Sequence, residues 1–228
     1  MSKEVKQMEK LALSSMSLET LQRLTRLTQN GIRNYEWTQV DAAILSDWER
    51  RRLAEIQTTL LRDPVHLLNE ATIWARGIYP LLQLAESDEV RALAGITLKV
   101  HYPQFEIEGV ADGAIGKSIM GRIDYPYLVT VEAKRGIEGQ NPVSQLYGSL
   151  LAAARLNWQT DGQDVQEVFG CYTIADSWAF VRSQVSGIDS DRPTLEVEFS
   201  REYTEKTDAE TILKLLKAIV ARYQASDG

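Results

Sequence analysis

Three side chains could do chemistry together in this chain: Asp112, in a turn-rich stretch, and Glu132 and Lys134, which close an apolar run. That run, Leu128-Val129-Thr130-Val131-Glu132-Ala133-Lys134, follows Pro126 and is rich in β-branched residues, so it is expected to be a strand. Side chains alternate along a strand. Val129, Val131 and Ala133 therefore share one face, and Thr130, Glu132 and Lys134 share the other. The apolar face anchors the element, and the opposite face presents a carboxylate and an ammonium group pointing the same way. Such a pair suits chemistry on a phosphate. Phosphodiester hydrolysis needs a divalent cation held by carboxylate oxygens, which stabilises charge developing at phosphorus and lowers the pKa of an attacking water. Asp112 and Glu132 can supply the oxygens. Lys134 can orient or deprotonate the water and hold a phosphate as a point charge.

At these residues the chain resembles the PD-(D/E)XK nuclease superfamily, whose minimal motif is an acidic residue, a spacer and (Asp/Glu)-x-Lys. Here it reads Asp112, then Glu132-Ala133-Lys134. The resemblance implies an α/β fold with a restriction-endonuclease-like core, ordered α-β-β-β-α-β, in which a mixed sheet is flanked by helices. It implies Mg²⁺ as cofactor, with Mn²⁺ as a substitute, and a nucleic-acid partner, DNA before RNA. Many members carry a further carboxylate on the first core helix; Glu70 is in place for it, with Glu86 as rival. Branches of the RecB type add a glutamine, often with a tyrosine, on the helix after the lysine, and this chain has Gln145-Leu146-Tyr147 there. The implied metal ligands are thus Asp112, Glu132 and Glu70, and the implied catalytic set is Asp112, Glu132, Lys134 and Gln145. A homodimer is implied too, since many members act as dimers on duplex DNA. The alternative is a member of the same fold that cleaves nothing and serves as a binding or assembly module.

The elements needed to position these residues can be read in the required order. Asp63-Pro64 looks like a helix start, with a stripe of Leu67, Leu68, Ala71, Trp74, Ala75 and Ile78 running to about Tyr79, where Gly77 and Pro80 should break or kink it. Strands are expected over 95–102 and 105–115, and Asn141-Pro142 opens a helix to about residue 157. Further strands are expected over 167–174, 178–184 and 194–199. A last helix starts at Thr207 with the capping box Thr207-x-x-Glu210. Residues 1–62 read as an N-terminal helical extension to a core spanning 63–228. Leu18, Leu21, Leu24 and Leu27 suggest a helix between Ser17 and Gln29, and a second helix follows Ser46.

A competing reading treats residues 111–118, Ala-Asp-Gly-Ala-Ile-Gly-Lys-Ser, as a phosphate-binding loop. Such a loop must open directly into a helix, and Gly121 and Pro126 stand where that helix would run. The bland readings are a solvated strand face for Glu132 and Lys134, a turn at Asp112-Gly113, and a pairing of Glu70 with Arg76 or His66. With 228 residues and 44% hydrophobic content the chain can build one well-packed α/β domain. No membrane span and no signal-peptide core are visible, so a cytoplasmic protein is expected. The lone Cys171 in an apolar run reads as core. A formal net charge of −7 opposes broad phosphate binding and supports the non-cleaving alternative. The cations near the site, Lys117, Arg122, Lys134, Arg135 and Arg155, would have to form a local patch.

Overall fold

The computed structural model describes residues 8–135 and 141–226. In chain order it has a short strand Glu9–Ala12 (β1), a helix Leu18–Leu24 (α1), a strand Arg26–Ile32 (β2) and a helix Asp47–Leu61 (α2). A helical segment of three parts follows: Glu70–Ile73 (α3), a π-turn Trp74–Ile78 and Tyr79–Leu84 (α4). Then come strands Val90–His101 (β3), Phe105–Ile119 (β4) and Arg122–Lys134 (β5), and the helix Val143–Asp161 (α5). Strands Val165–Ile174 (β6), Ser177–Ser186 (β7) and Thr194–Thr204 (β8) precede the final helix Glu205–Ser226 (α6).

All eight strands form one mixed sheet in the order β1-β4-β5-β6-β7-β8-β2, with β3 also paired to β4. The chain is therefore an α/β protein with helices on both faces of a mixed sheet. One face packs on α5 through Leu146, Leu150 and Leu151, and the other packs on α2, α4 and α6 through Leu53, Leu60, Leu81, Ile212 and Leu216. Strands β3, β4 and β5 form an antiparallel meander, and α5 carries the chain over to β6, which lies parallel to β5. Cys171, on β6, is buried core.

Two residues, Met120 and Gly121, turn β4 into β5 with φ of 50° and 78°. Positive φ at both positions gives the turn whose twist matches that of the flanking strands. Residues 111–118 lie within β4, and no helix follows them. The phosphate-loop alternative is therefore excluded.

The N-terminal part differs from the expected helical extension. Helix α1 ends at Leu24, and β2 then runs parallel to β8. The buried Thr25 is extended; its hydroxyl donates to Leu21 O at 2.8 Å, and the next residue bonds through Arg26 N to Pro193 O. Burial of Leu27 against the α5-side core, together with this ladder, overrides the leucine spacing. Strand β1 is the larger surprise. Because β3 pairs along 106–117 of β4, β1 (along 105–108) and β5 (along 113–119) must share the other edge. The two strands fork around residues 109–112.

Leu13 seals the docking of β1 from a slot between β4 and α5. A Cβ placed on Gly109 would lie 2.7 Å from Leu13 Cβ, and one on Gly148 would lie 2.7 Å from Leu13 Cδ2. Gly109 is thus required by close approach, since Leu13 Cβ and its main-chain nitrogen lie in the way, whereas a side chain at 148 would have to displace the tips of Leu13 and Met16. Leu13→Ala is expected to lower stability by about 2–5 kcal/mol, measured by denaturant titration. An unchanged midpoint would show that the N-terminal strand contributes nothing to the fold.

Two helix starts also differ. Asp63-Pro64 leads only into a single 3-10 turn at Val65–Leu67; the helix proper is capped by Asn69, whose side chain accepts from Thr72 N at 2.8 Å. It then passes through the π-turn, in which Tyr79 N bonds Trp74 O, and carries Pro80 in the first turn of α4 without a break. Of the stripe read from the sequence, Ile78 is buried and Leu68 and Trp74 pack partly buried against the core, whereas Leu67, Ala71 and Ala75 are exposed and Ile73, outside the stripe, is buried. Leu67 falls in the 3-10 turn before the helix, and the π-turn shifts the phase only after Trp74. Helix α6 starts at Glu205 rather than Thr207, and the carboxylate of Asp208 accepts from Thr204 N at 3.1 Å in place of the expected Thr207–Glu210 box.

Candidate functional site

The site lies where β5 and β1 fork along the shared edge of β4. Asp112 sits where the β4 ladder passes from β5 to β1, and its Oδ2 takes the main-chain N–H of Ala133 at 2.7 Å. A side-chain carboxylate thus closes the end of the ladder. Lys134 Nζ lies 3.6 Å from the same oxygen. Alternation along β5 is as expected: Val129, Val131 and Ala133 enter the core beneath α4 and α6, while Thr130, Glu132 and Lys134 point the other way.

That other face is not a solvated one. Glu132 is fully buried beneath α5. Ser149 Oγ donates to Glu132 Oε1 at 2.7 Å, and Oε2 has no hydrogen-bond partner. Burial, and next the charge of Asp112, push the Glu132 carboxyl up to about 8; Ser149 and Lys134 pull the other way and Glu70 adds to the rise. A buried carboxylate oxygen with no partner is costly, and that cost falls away if a cation sits beside it. Thr130 Oγ1, on the same face of β5, is also buried without a partner.

Glu70, at the start of α3, shares the electric field of these groups. Burial raises its carboxyl pKa, Asp112 adds to the rise, and Lys134 and Arg135 oppose it. Its rival Glu86 is used elsewhere: Oε1 accepts from Ala92 N at 3.0 Å where the chain enters β3. Arg76 is bonded to Asp63 at 2.8 Å and not to Glu70. Gln145, half-buried near the start of α5, stands four residues before Ser149 and so on the same side of the helix. Tyr147 turns away, its hydroxyl accepting from Gln29 Nε2 at 2.8 Å.

The expected cationic patch narrows. Lys117 pairs with Glu89 at 2.9 Å, and Arg122 begins β5, ten residues from Glu132, roughly 30 Å along the strand. Arg155 is held over the rings of Trp158 and Tyr102, at 4.4 and 5.4 Å, and bonds Asp189. Of the five, Lys134 and Arg135 alone act on the carboxylates.

In donor chemistry the site suits a hard divalent cation: carboxylate oxygens, one of them buried and unpartnered. The set is open. Among the described residues, no three Asp, Glu, His or Cys side chains close into a cage. A cavity of about 490 Å³ lies elsewhere, between Tyr35, Trp37, Arg182, Glu198 and α6, where Trp37 Nε1 and Arg182 both bond Glu198.

Two residues were missed in the sequence. In the sequence Ser149 belongs to no motif. A hydroxyl four residues after Gln145, on the helix that follows the motif, was the available signal. Glu205 is a second fully buried carboxylate; its Oε2 accepts from Trp178 Nε1 at 3.0 Å, Oε1 has no partner, and burial raises it to about 7. A Cβ on Gly77 would lie 3.1 Å from both of its oxygens, so Glu205 packs against the π-turn.

Fold and site together define an α/β protein with a mixed sheet flanked by helices and a buried, half-satisfied carboxylate late in β5. No protein-family model matches the chain, and no curated protein is significantly similar to it. No helix among the described residues is long and apolar enough to cross a membrane.

Proposed function

We propose that this protein is a Mg²⁺-dependent phosphodiesterase acting on nucleic acid, with a restriction-endonuclease-like core. The observation that carries the reading is Glu132: a buried carboxylate with one unpartnered oxygen, near Asp112 and Lys134 where β5 and β1 fork along β4. The order of α3/α4, β3, β4, β5, α5 and β6, with β6 parallel to β5, supports it, because this is the order the motif implies.

In this reading Asp112 and Glu132 would hold the ion, and Glu70, which does not close into a group of three with them, would have to move in to join them; the ion would supply charge neutralisation and an acidified water. Asp112 is fixed by Ala133 N–H, and Glu132 by Ser149. Lys134, largely shielded from solvent, keeps its ammonium group 3.6 Å from Asp112, where it can orient a water and hold a phosphate oxygen as a point charge; only as the neutral amine could it take the water's proton. Arg135 and Lys134 supply the local positive charge that an overall charge of −7 lacks. Gln145, on the Ser149 side of α5, is placed to orient the water or substrate. DNA is the proposed partner, and a homodimer the proposed assembly, since two centres are what a duplex cut needs.

The test is a Mn²⁺ soak of crystals. An anomalous peak within reach of both Asp112 and Glu132 is expected. Its absence at millimolar metal, with Asp112 still bonded to Ala133 and Lys134, would sink the reading. It would favour the second one, a non-cleaving binding or assembly module, for which the Asp112–Lys134 pair and the acidic surface already speak. Salt-sensitive binding of DNA without metal-dependent cutting would be that module's signature.

A further inference from the structure

We propose that the cavity of about 490 Å³ beside Tyr35 and Trp37 is a nucleobase site that takes guanine in preference to the other bases. Val40 and Ile219, which line it, belong to the core layer beneath α2, α4 and α6, whereas Glu132 points toward α5. The cavity is therefore on the opposite face of the sheet from Glu132, and the inference does not rest on the metal reading.

One wall is aromatic and already fixed. After β2 the chain folds back over the sheet, and the rings of Tyr35 and Trp37 lie nearly parallel, at 16° with centroids 6.2 Å apart. The Tyr35 hydroxyl donates to Asn30 O and Gly31 O, both at 3.0 Å. Trp37 Nε1 donates to Glu198 Oε2 at 2.8 Å, and its ring stands edge-on to Phe169 at 5.7 Å. Both side chains are half-buried and line the cavity. Rings held by their polar ends lose little freedom on binding, and an aromatic face stacks on the face of a base.

The charge of the lining selects against anions. Arg182 and Arg222 both lie against Glu167, at 2.5 and 3.7 Å, and Arg182 also lies 3.3 Å from Glu198. With Glu36 in the lining, three carboxylates meet two cations, so a phosphate or carboxylate group gains nothing by entering. What the lining offers is an acceptor: both hydrogen bonds to Glu198 end on Oε2, and among the described residues none reaches Oε1. An uncharged planar ring with N–H groups on its edge suits the aromatic wall and the acceptor together, and nucleobases are such rings. Guanine offers a carboxylate two adjacent donors, its ring N–H and its amino group. Thymine and uracil flank a single N–H with carbonyl oxygens, which a carboxylate repels.

A free nucleoside and a single strand share this chemistry. The experiment is calorimetric titration of the full chain, with chelator present, against guanosine, thymidine, and strands of about ten thymidines with and without one central guanine. The guanine probe is expected to bind about tenfold or more tightly than its thymine counterpart. Binding of guanosine itself marks a nucleoside site; binding of the guanine-bearing strand alone marks a strand site. Tyr35→Leu, which keeps apolar bulk without a ring, and Glu198→Gln, which sets an amide in place of the carboxylate, are each expected to weaken guanine binding about tenfold or more. No binding of any probe, equal binding of guanine and thymine probes, or guanine binding left unchanged by either variant would overturn the proposal. Should the variants fold poorly, a wild-type crystal soaked with the probe that binds decides: the base is expected against Tyr35 with an N–H on Glu198, and a base held elsewhere would overturn the site. Chelator removes any ion at Glu132, so none of these outcomes bears on the metal reading.

Discussion

Lys134→Ala is expected to cut metal-dependent cleavage of nucleic acid by about a hundred- to a thousandfold, the loss seen when one preorganised charge-stabilising group is removed. The fold should survive. Among the described residues the Lys134 ammonium group makes no hydrogen bond, its ion-pair partner being Asp112 at 3.6 Å, and Asp112 remains anchored by Ala133 N–H. What the variant loses is the cation facing Asp112, Glu132 and Glu70, which lowers the pKa of both glutamates. Cleavage rates on DNA and RNA, measured beside thermal melts, check both halves of the expectation. A variant that cuts as fast as the wild type would end the proposed role of Lys134. One that no longer folds would make the lysine structural.

The second large effect is on stability and needs no assumption about substrate. The Glu132 carboxyl has an ordinary value of 4.5 and rises to about 8 in the folded protein, so the folded state holds its proton where the unfolded chain has released it. Stability from this group is therefore complete below about 4.5 and is lost as pH rises toward 8. Integrated over that window, the shift corresponds to about 5 kcal/mol as an upper figure. Glu205, raised to about 7, acts in the same direction over a shorter window. Glu49 and Asp208 have lowered pKa values and act in the opposite direction. The informative quantity is thus a difference between variants. Glu132→Gln, neutral at every pH, should match the wild type near pH 4.5 and exceed it in stability by several kcal/mol at pH 9, in urea titrations with chelator present. An equal effect at both pH values would show that the buried carboxylate is not titrating. Adding Mg²⁺ at pH 9 should stabilise the wild type and leave Glu132→Gln unmoved.

The sequence by itself determined the central elements and the facing of the motif. Alternating β-branched residues from Leu128 to Lys134, helix α5 opened by Asn141-Pro142, and the strands flanking them are local patterns with periods of two and 3.6 residues, so they survive into the structure with shifted ends. The sorting of Glu132 and Lys134 from Val131 and Ala133 follows from the same alternation. Tertiary structure decided the rest, through contacts distant in sequence. The partner of β1 lies some hundred residues away in β4, and that of β2 lies in β8, so no local pattern announces either strand. The π-turn exists where Gly77 meets the Glu205 carboxylate and Leu60. Whether the Glu132 face met water or protein depended on α5 crossing over it. The crossing buried the carboxylate and set Ser149 on one of its oxygens, leaving the other unpartnered. Residue types and spacing name the groups proposed to bind an ion; burial and hydrogen bonding, which only the assembled sheet and helix create, decide which of their oxygens has a partner and which has none.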